Sequence, residues 1–187
     1  MSYKDETIKK YLDDLAARLP APGGGSAAAL NAAMGVSLIS MVVNFTLGKP
    51  RYAEYEGELK KILEKSEKLR ETFLNLVDLD VVAYKSKNIR DALDIPIMVS
   101  RLCFEGIKLC PALIKKGNIN LLSDVAVAAV LLESAFVCAY FNVEINLKSL
   151  GDKKLTKSVR KELTRKEKLI KRIRIKTEEK VGEIIRG

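Results

Sequence analysis

The stretch "RLPAPGGGSAAALNAAMGVSLISMVVNFTLGKP", residues 18–50, decides how this chain is read. Two prolines and three consecutive glycines lead into an uncharged run that ends only at Lys49. The length of that run would suit a membrane span. Its content argues against one, because Ala, Ser, Asn and Gly make up about half of residues 26–48. A helix that is thin and uncharged on every side suits the centre of a helical bundle, where small side chains let neighbours approach. A buried second helix is therefore expected.

Its entry is read separately. Ser26 is a natural N-cap, and Gly23, Gly24 and Gly25 could take positive φ and bring bare backbone close to a bound group. The free N–H groups of a first helical turn favour an anion or a polar ring edge. A plain turn into a helix accounts for the same residues equally well. The segment lacks the GK[ST] end of a phosphate-binding loop and follows no strand, which disfavours nucleotide binding.

Outward from this stretch the pattern is helical in both directions. Ile8, Leu12, Leu15 and Leu19 predict a first helix over about 4–18, ended by Pro20. After Pro50 a long third helix carries Leu59, Ile62, Leu63, Leu69, Phe73, Leu76 and Val77 on one stripe. Pro96 is placed in the first turn of a fourth helix running to about Lys116. Gly117 is read as the residue after its end, and Ser123 or Asp124 as the next N-cap. The fifth helix runs to about Leu147, and "GDKK" opens a sixth over about 152–185. The fold class expected is all-α, an up-and-down bundle of five to six helices within one 187-residue domain.

Composition narrows the chemistry. There is no histidine, so proton transfer near neutral pH falls to carboxylates, Lys, Tyr or Cys with displaced pKa values. The same absence, with only three cysteines, disfavours a zinc site, and no metal is expected. The cysteine usage and the lack of a cationic leader with an apolar core point to a reducing, cytoplasmic home. Residues 148–187 hold 15 of the 33 Lys and Arg and 6 of the 24 Asp and Glu, so the net charge of +9 resides in the last segment. Glutamates interleave that segment and an apolar stripe persists along it. It reads as a bundle or dimer helix with a solvated basic face rather than a nucleic-acid or membrane surface.

Two aspartates stand in "LVDLD", and on a helix they point about 200° apart. Asp80 continues the stripe of Leu69, Phe73, Leu76 and Val77. A carboxylate there loses solvation, its pKa rises, and it becomes suited to moving protons. An Asp satisfied by a neighbouring helix end or by Tyr84 fits the same position. Asp124 reads most simply as a first-turn aspartate, and Lys49 as part of a solvated turn. Asn142 and Asn146, four apart, are read as interhelical hydrogen bonds or as a pocket wall.

Three segments together resemble a known family. "PAPGGGSAAALNAAMGVSLISMV", "LVDLDVVAY" and "GNINLLSDVAVAAVLLESAFVCAYFNVEINL" are similar to the glycine-rich, aspartate and GN–SD–NVxIN segments of the formiminotransferase-cyclodeaminase C-terminal domain and of stand-alone methenyltetrahydrofolate cyclohydrolases. The resemblance covers about residues 1–150. It implies an all-α domain, commonly dimeric, acting on a tetrahydrofolate one-carbon derivative. It implies Asp80 as the catalytic aspartate. Gly23, Gly24, Gly25, Ser26, Lys49 and Asp124 are implied to contact the substrate, with Lys49 near the anionic glutamate tail. Either reaction, ammonia release from formimino-folate or water addition to methenyl-folate, calls for one proton-moving group and for no metal or redox cofactor.

Overall fold

The computed structural model describes residues 2–187. After a 3₁₀ turn at Tyr3–Asp5 come α1 (Ile8–Ala16), α2 (Gly24–Asn44), a second 3₁₀ stretch (Pro50–Tyr55) and α3 (Glu56–Ser86). Then follow α4 (Ile89–Ile107), α5 (Cys110–Lys116), a 3₁₀ turn (Ile119–Leu121), α6 (Leu122–Leu150) and α7 (Lys153–Arg186). The described residues contain no strand, and the all-α bundle expected from the sequence is what is found.

The uncharged run forms α2, and α2 is the central column, packed against α3 and α6. Ala29, Ala32, Val36, Ile39, Val42 and Val43 are fully covered. α6 runs antiparallel to α2 and very close to it. A Cβ on Gly35 would stand 2.9 Å from Leu132 Cγ, so only glycine admits this approach. Asn31 Nδ2 donates to Ser134 Oγ at 3.4 Å midway along the pair. At the far end Thr46 Oγ1 accepts from the Asn118 N–H at 2.9 Å. Two of the helices are long and apolar enough to cross a membrane, Gly24–Asn44 and the segment Ile119–Leu150. The first spends that apolarity on the core.

Several boundaries differ from the sequence reading. The first helix is a 3₁₀ turn plus a short α1, because Thr7 caps α1 by accepting from the Lys10 N–H at 3.1 Å. Its expected stripe is not buried: Ile8 and Leu12 are exposed, and Tyr11 is the residue that reaches inward. The fourth helix starts at Ile89, earlier than expected, and breaks before Cys110 and Pro111 to leave α5. Pro96 therefore lies inside α4 rather than in its first turn. Its missing N–H leaves the Ala92 carbonyl without the usual helical donor, and Asn146 Nδ2 donates to that oxygen at 2.6 Å from α6. The predicted pairing role of Asn146 thus has a specific cause.

Gly117 ends α5 with extended backbone at φ −84, not in the left-handed region. The N-cap of α6 is Leu121, so neither Ser123 nor Asp124 caps it; Asp124 sits in the first turn. At the α6–α7 corner, Gly151 at φ 72 reverses the chain and Asp152 caps α7 by accepting from the Leu155 N–H.

Candidate active site

The two aspartates of "LVDLD" diverge as their spacing predicts. Asp78 turns toward the N-terminus, where Oδ1 accepts from the Tyr3 N–H at 2.6 Å and Oδ2 from Ser2 Oγ at 2.7 Å. It ties down the first residues and is not free for chemistry. Asp80 turns the other way, toward the start of α2.

There the glycines have a different role from the one expected. Gly23 is the N-cap of α2 and is extended at φ −143; neither Gly24 nor Gly25 has positive φ. Ser26 lies within the helix and is not its cap. What the site needs from glycine is absent volume. A Cβ on Gly25 would stand 2.1 Å from Asp80 Oδ1 and 2.7 Å from its Cγ, so the carboxyl lies directly on the bare helix backbone. Gly24 is open to solvent, with Asn142 Nδ2 3.5 Å from where its Cβ would be. The glycine turn thus separates a carboxylate from α3 and a carboxamide from α6.

Burial holds the Asp80 carboxyl above the ordinary aspartate value, and the Ser26 backbone N–H partly opposes the rise. The sequence reading missed Tyr11, which lies beneath this arrangement. Its phenol donates to Ser26 Oγ at 3.2 Å, and Ser26 Oγ donates on to the Val77 carbonyl at 3.1 Å. Burial raises the Tyr11 pKa, the Ser26 bond lowers it, and the Asp80 charge raises it further. Tyr11 is the buried residue of α1, and no spacing or motif in the sequence marks it.

Two concavities open beside Asn146 and Asn142, one helical turn apart on α6; Asp80 and the three glycines are not among the residues lining either. A recess of 520 Å³ is lined by Pro20, Tyr84, Asn88, Ile89 and Asn146, with Tyr84 one turn beyond Asp80. On the other side an open groove of 1180 Å³ between α6 and α7 is lined by Phe141, Asn142, Lys148, Lys153 and Lys157 among others. None of those three lysines has an ion-pair partner among the described residues. The recess reaches Tyr84, one turn from Asp80, and the three lysines of the groove can receive an anionic tail.

Not all the candidate residues meet. Asp80, Gly23, Gly24, Gly25 and Ser26 gather at the N-terminal end of α2. Lys49 and Asp124 lie at its opposite end, roughly 30 Å away along a helix of this length. Lys49 is exposed and Asp124 half-buried. Spacing in sequence could not show this, because it does not tell which end of an antiparallel helix a residue occupies. Among the described residues, no three His, Cys, Asp or Glu side chains gather as a metal site.

A sequence profile of the formiminotransferase-cyclodeaminase family matches residues 7–87 and 83–165. A methenyltetrahydrofolate cyclohydrolase of Methylorubrum extorquens is 38% identical over 182 residues, covering 85% of this chain and 88% of that protein. The formimidoyltransferase-cyclodeaminase of Rattus norvegicus is 29% identical over 174 residues, and the match takes in 81% of this chain but only 32% of the rat protein. The crystal structure of a formiminotetrahydrofolate cyclodeaminase from Thermotoga maritima superposes with a TM-score of 0.92 at 29% identity, covering 97% of this chain and 98% of that one.

Proposed function

This chain belongs to the formiminotransferase-cyclodeaminase family, and from that premise we propose that it is a one-carbon tetrahydrofolate enzyme acting at the carbon that bridges N5 and N10. Within that class the methenyltetrahydrofolate cyclohydrolase reaction is the first choice, since the relative of that name shares 38% identity over nearly its whole length. The observation that carries the reading is the Asp80 carboxyl, desolvated and seated on Gly25 beside the open first turn of α2.

In the proposed reaction the Asp80 carboxylate takes a proton from water as its oxygen bonds to the methenyl carbon. The protonated carboxyl then gives that proton to N5 as the carbon–N5 bond breaks. The carbinol hydroxyl releases its proton to solvent while the formyl carbonyl forms on N10. A raised carboxyl pKa serves both halves, because the group must accept a proton and return it. The recess with Tyr84, lined also by Lys85, Lys87, Asn88 and Asn146, offers an aromatic face and polar groups to the pterin ring. Lys148, Lys153 and Lys157 suit the glutamate carboxylates, a task that Lys49 cannot perform within the same chain.

The cyclodeaminase reaction is the second reading, favoured by the Thermotoga maritima structure. There N10 attacks the formimino carbon and passes its proton to Asp80, which returns one to the departing nitrogen as ammonia leaves. The proposal further takes residues 1–187 as one domain, the assembly as a homodimer and the setting as cytoplasmic.

The test follows methenyl-tetrahydrofolate absorbance with the purified protein, once from methenyl-folate and once from formimino-folate. Wild type should accelerate at least one reaction over buffer, and Asp80→Asn should lose about 10²-fold or more while keeping its helical circular dichroism. An Asp80→Asn variant as fast as wild type, or a wild type inert toward both folates, overturns the proposal.

A further inference from the structure

Tyr11 is a buried titratable group that the proposed reaction does not use. It is 4% exposed, although Ile8 and Leu12 on the same short helix lie bare. Its ring meets that of Tyr3 edge-on, with the centroids 5.4 Å apart. A phenol is costly to bury unless its hydroxyl finds a partner. The partner here is Ser26 Oγ in the first turn of α2, at 3.2 Å.

Ser26 faces α3 through two groups. Its hydroxyl has one proton, which goes to the Val77 carbonyl at 3.1 Å, so its lone pairs are left to receive the Tyr11 phenol. Its backbone N–H belongs to the first turn of α2. Ala27 is the first N–H there to bond back, to the Gly23 carbonyl, and those before it have no helical acceptor. The Asp80 carboxylate accepts the Ser26 N–H instead. Val77 and Asp80 are three residues apart and share one face of α3. One residue of α2 thus holds a turn of α3 at both ends, and Tyr11 secures that residue from α1.

An N–H bonded to one carboxyl oxygen stabilises a lone pair there, so the exchangeable proton goes to the other oxygen. Where the Ser26 N–H lies therefore sets the direction in which Asp80 takes and returns a proton. Around the carboxyl, α2 presents uncharged Gly25 and Ser26, α6 the carboxamide of Asn142 beyond Gly24, and α1 the phenol. On its own helix Asp78 faces the N-terminus and Tyr84 lines the recess. No charged side chain of these elements competes with that N–H. We infer that Tyr11 is a positioning residue of the active site: by fixing Ser26 against α3 it keeps the Ser26 N–H on one Asp80 oxygen and leaves the other free for the substrate. The Ser26 hydroxyl donates to Val77 and not to Asp80, so no proton passes from Tyr11 to the carboxyl, and its task is geometric. The inference rests on the folate reading for turnover, but not for the state of Asp80.

Tyr11→Phe keeps the ring and removes the bond. It should lose roughly tenfold in kcat with KM held within about twofold. The acid limb of its rate profile should move to higher pH, because a loosened Ser26 N–H favours the ionised carboxylate less. Carboxyl-carbon NMR of Asp80 in the substrate-free protein should show the same upward move. Tyr3→Phe is the control. It breaks a bond of the same kind, from Tyr3 Oη to Asp14 Oδ2 at 2.9 Å, and should lower the melting temperature without moving kcat or the Asp80 titration. Ser26→Ala should reproduce the Tyr11→Phe shift, and adding Tyr11→Phe to it should change little more, since Tyr11 acts through that hydroxyl. A Tyr11→Phe protein with wild-type kcat and a wild-type Asp80 titration overturns the inference. So does strict additivity with Ser26→Ala, or an equal effect from Tyr3→Phe. A wild type inert on both folates, with the Asp80 titration moved by Tyr11→Phe, would sink the folate reading and leave the positioning role standing.

Discussion

The Asp80 carboxyl occupies the space that a side chain on Gly25 would need: a Cβ there would lie 2.1 Å from Oδ1, 2.7 Å from Cγ and 2.9 Å from Oδ2. One helix supplies the acid and another, by omitting a carbon, supplies its seat. Contact this close makes the geometry of the acid depend on the smallest possible change across from it.

Gly25→Ala should therefore displace Asp80 and lower turnover by roughly 10²-fold, as misplacements of about 1 Å do, while the bundle still folds. Gly23→Ala is the control. Its backbone is extended and nothing lies within 4 Å of a Cβ there, so activity and melting temperature should stay near wild type. Steady-state rates and thermal melts of the two variants check this, and equal losses in both would contradict it.

The raised pKa of Asp80 carries a stability consequence of definite sign. Between the ordinary aspartate value and the raised folded value, the native state binds more protons than the unfolded state, so stability falls as pH rises through that window. Above it, ionised Asp80 is a constant cost. Asp80→Asn should accordingly be more stable than wild type at neutral pH, the gain vanishing as pH falls toward the ordinary aspartate value. Urea melts across acid pH measure the difference. The acid limb of the wild-type rate profile should likewise lie above an ordinary aspartate.

Asn146 and Pro96 form a compensating pair, because Asn146 Nδ2 donates to the Ala92 carbonyl that Pro96 cannot serve. Asn146→Leu should cost about 1–3 kcal/mol by leaving that oxygen unpaired. In a Pro96→Ala background the restored N–H reaches the same carbonyl, and the cost should shrink. A double-mutant cycle in denaturant measures the coupling, and strict additivity would disprove the pairing.

Asp78 separates structure from chemistry within one motif. Asp78→Ala removes the acceptor for Ser2 Oγ and the Tyr3 N–H, so the N-terminus should loosen at a cost of about 1–2 kcal/mol. Turnover should change by less than about twofold, against the large loss expected at Asp80 two residues on. Limited proteolysis of the first residues, run beside the rate assay, reads both effects.

Much of this was legible in the sequence for a physical reason: helical periodicity and the cost of burying charge act locally. The uncharged run at 26–48 had to be a covered helix, and the stripe through Leu69, Phe73 and Val77 had to carry Asp80 inward. The glycines were visible as special but not for the right cause, because an extended φ at Gly23 and a carboxyl pressed on Gly25 are facts about a neighbouring helix. Pro96 was misplaced because its missing N–H is compensated from α6, fifty residues away. The sequence by itself determined a helical bundle, a basic last helix and an inward acid without histidine. Only the tertiary structure decided which residues share an end of the bundle, for the antiparallel run of α2 and α6 sends Lys49 and Asp124 away from Asp80. Distance along the chain sets periodicity, whereas distance in space depends on how the helices pack.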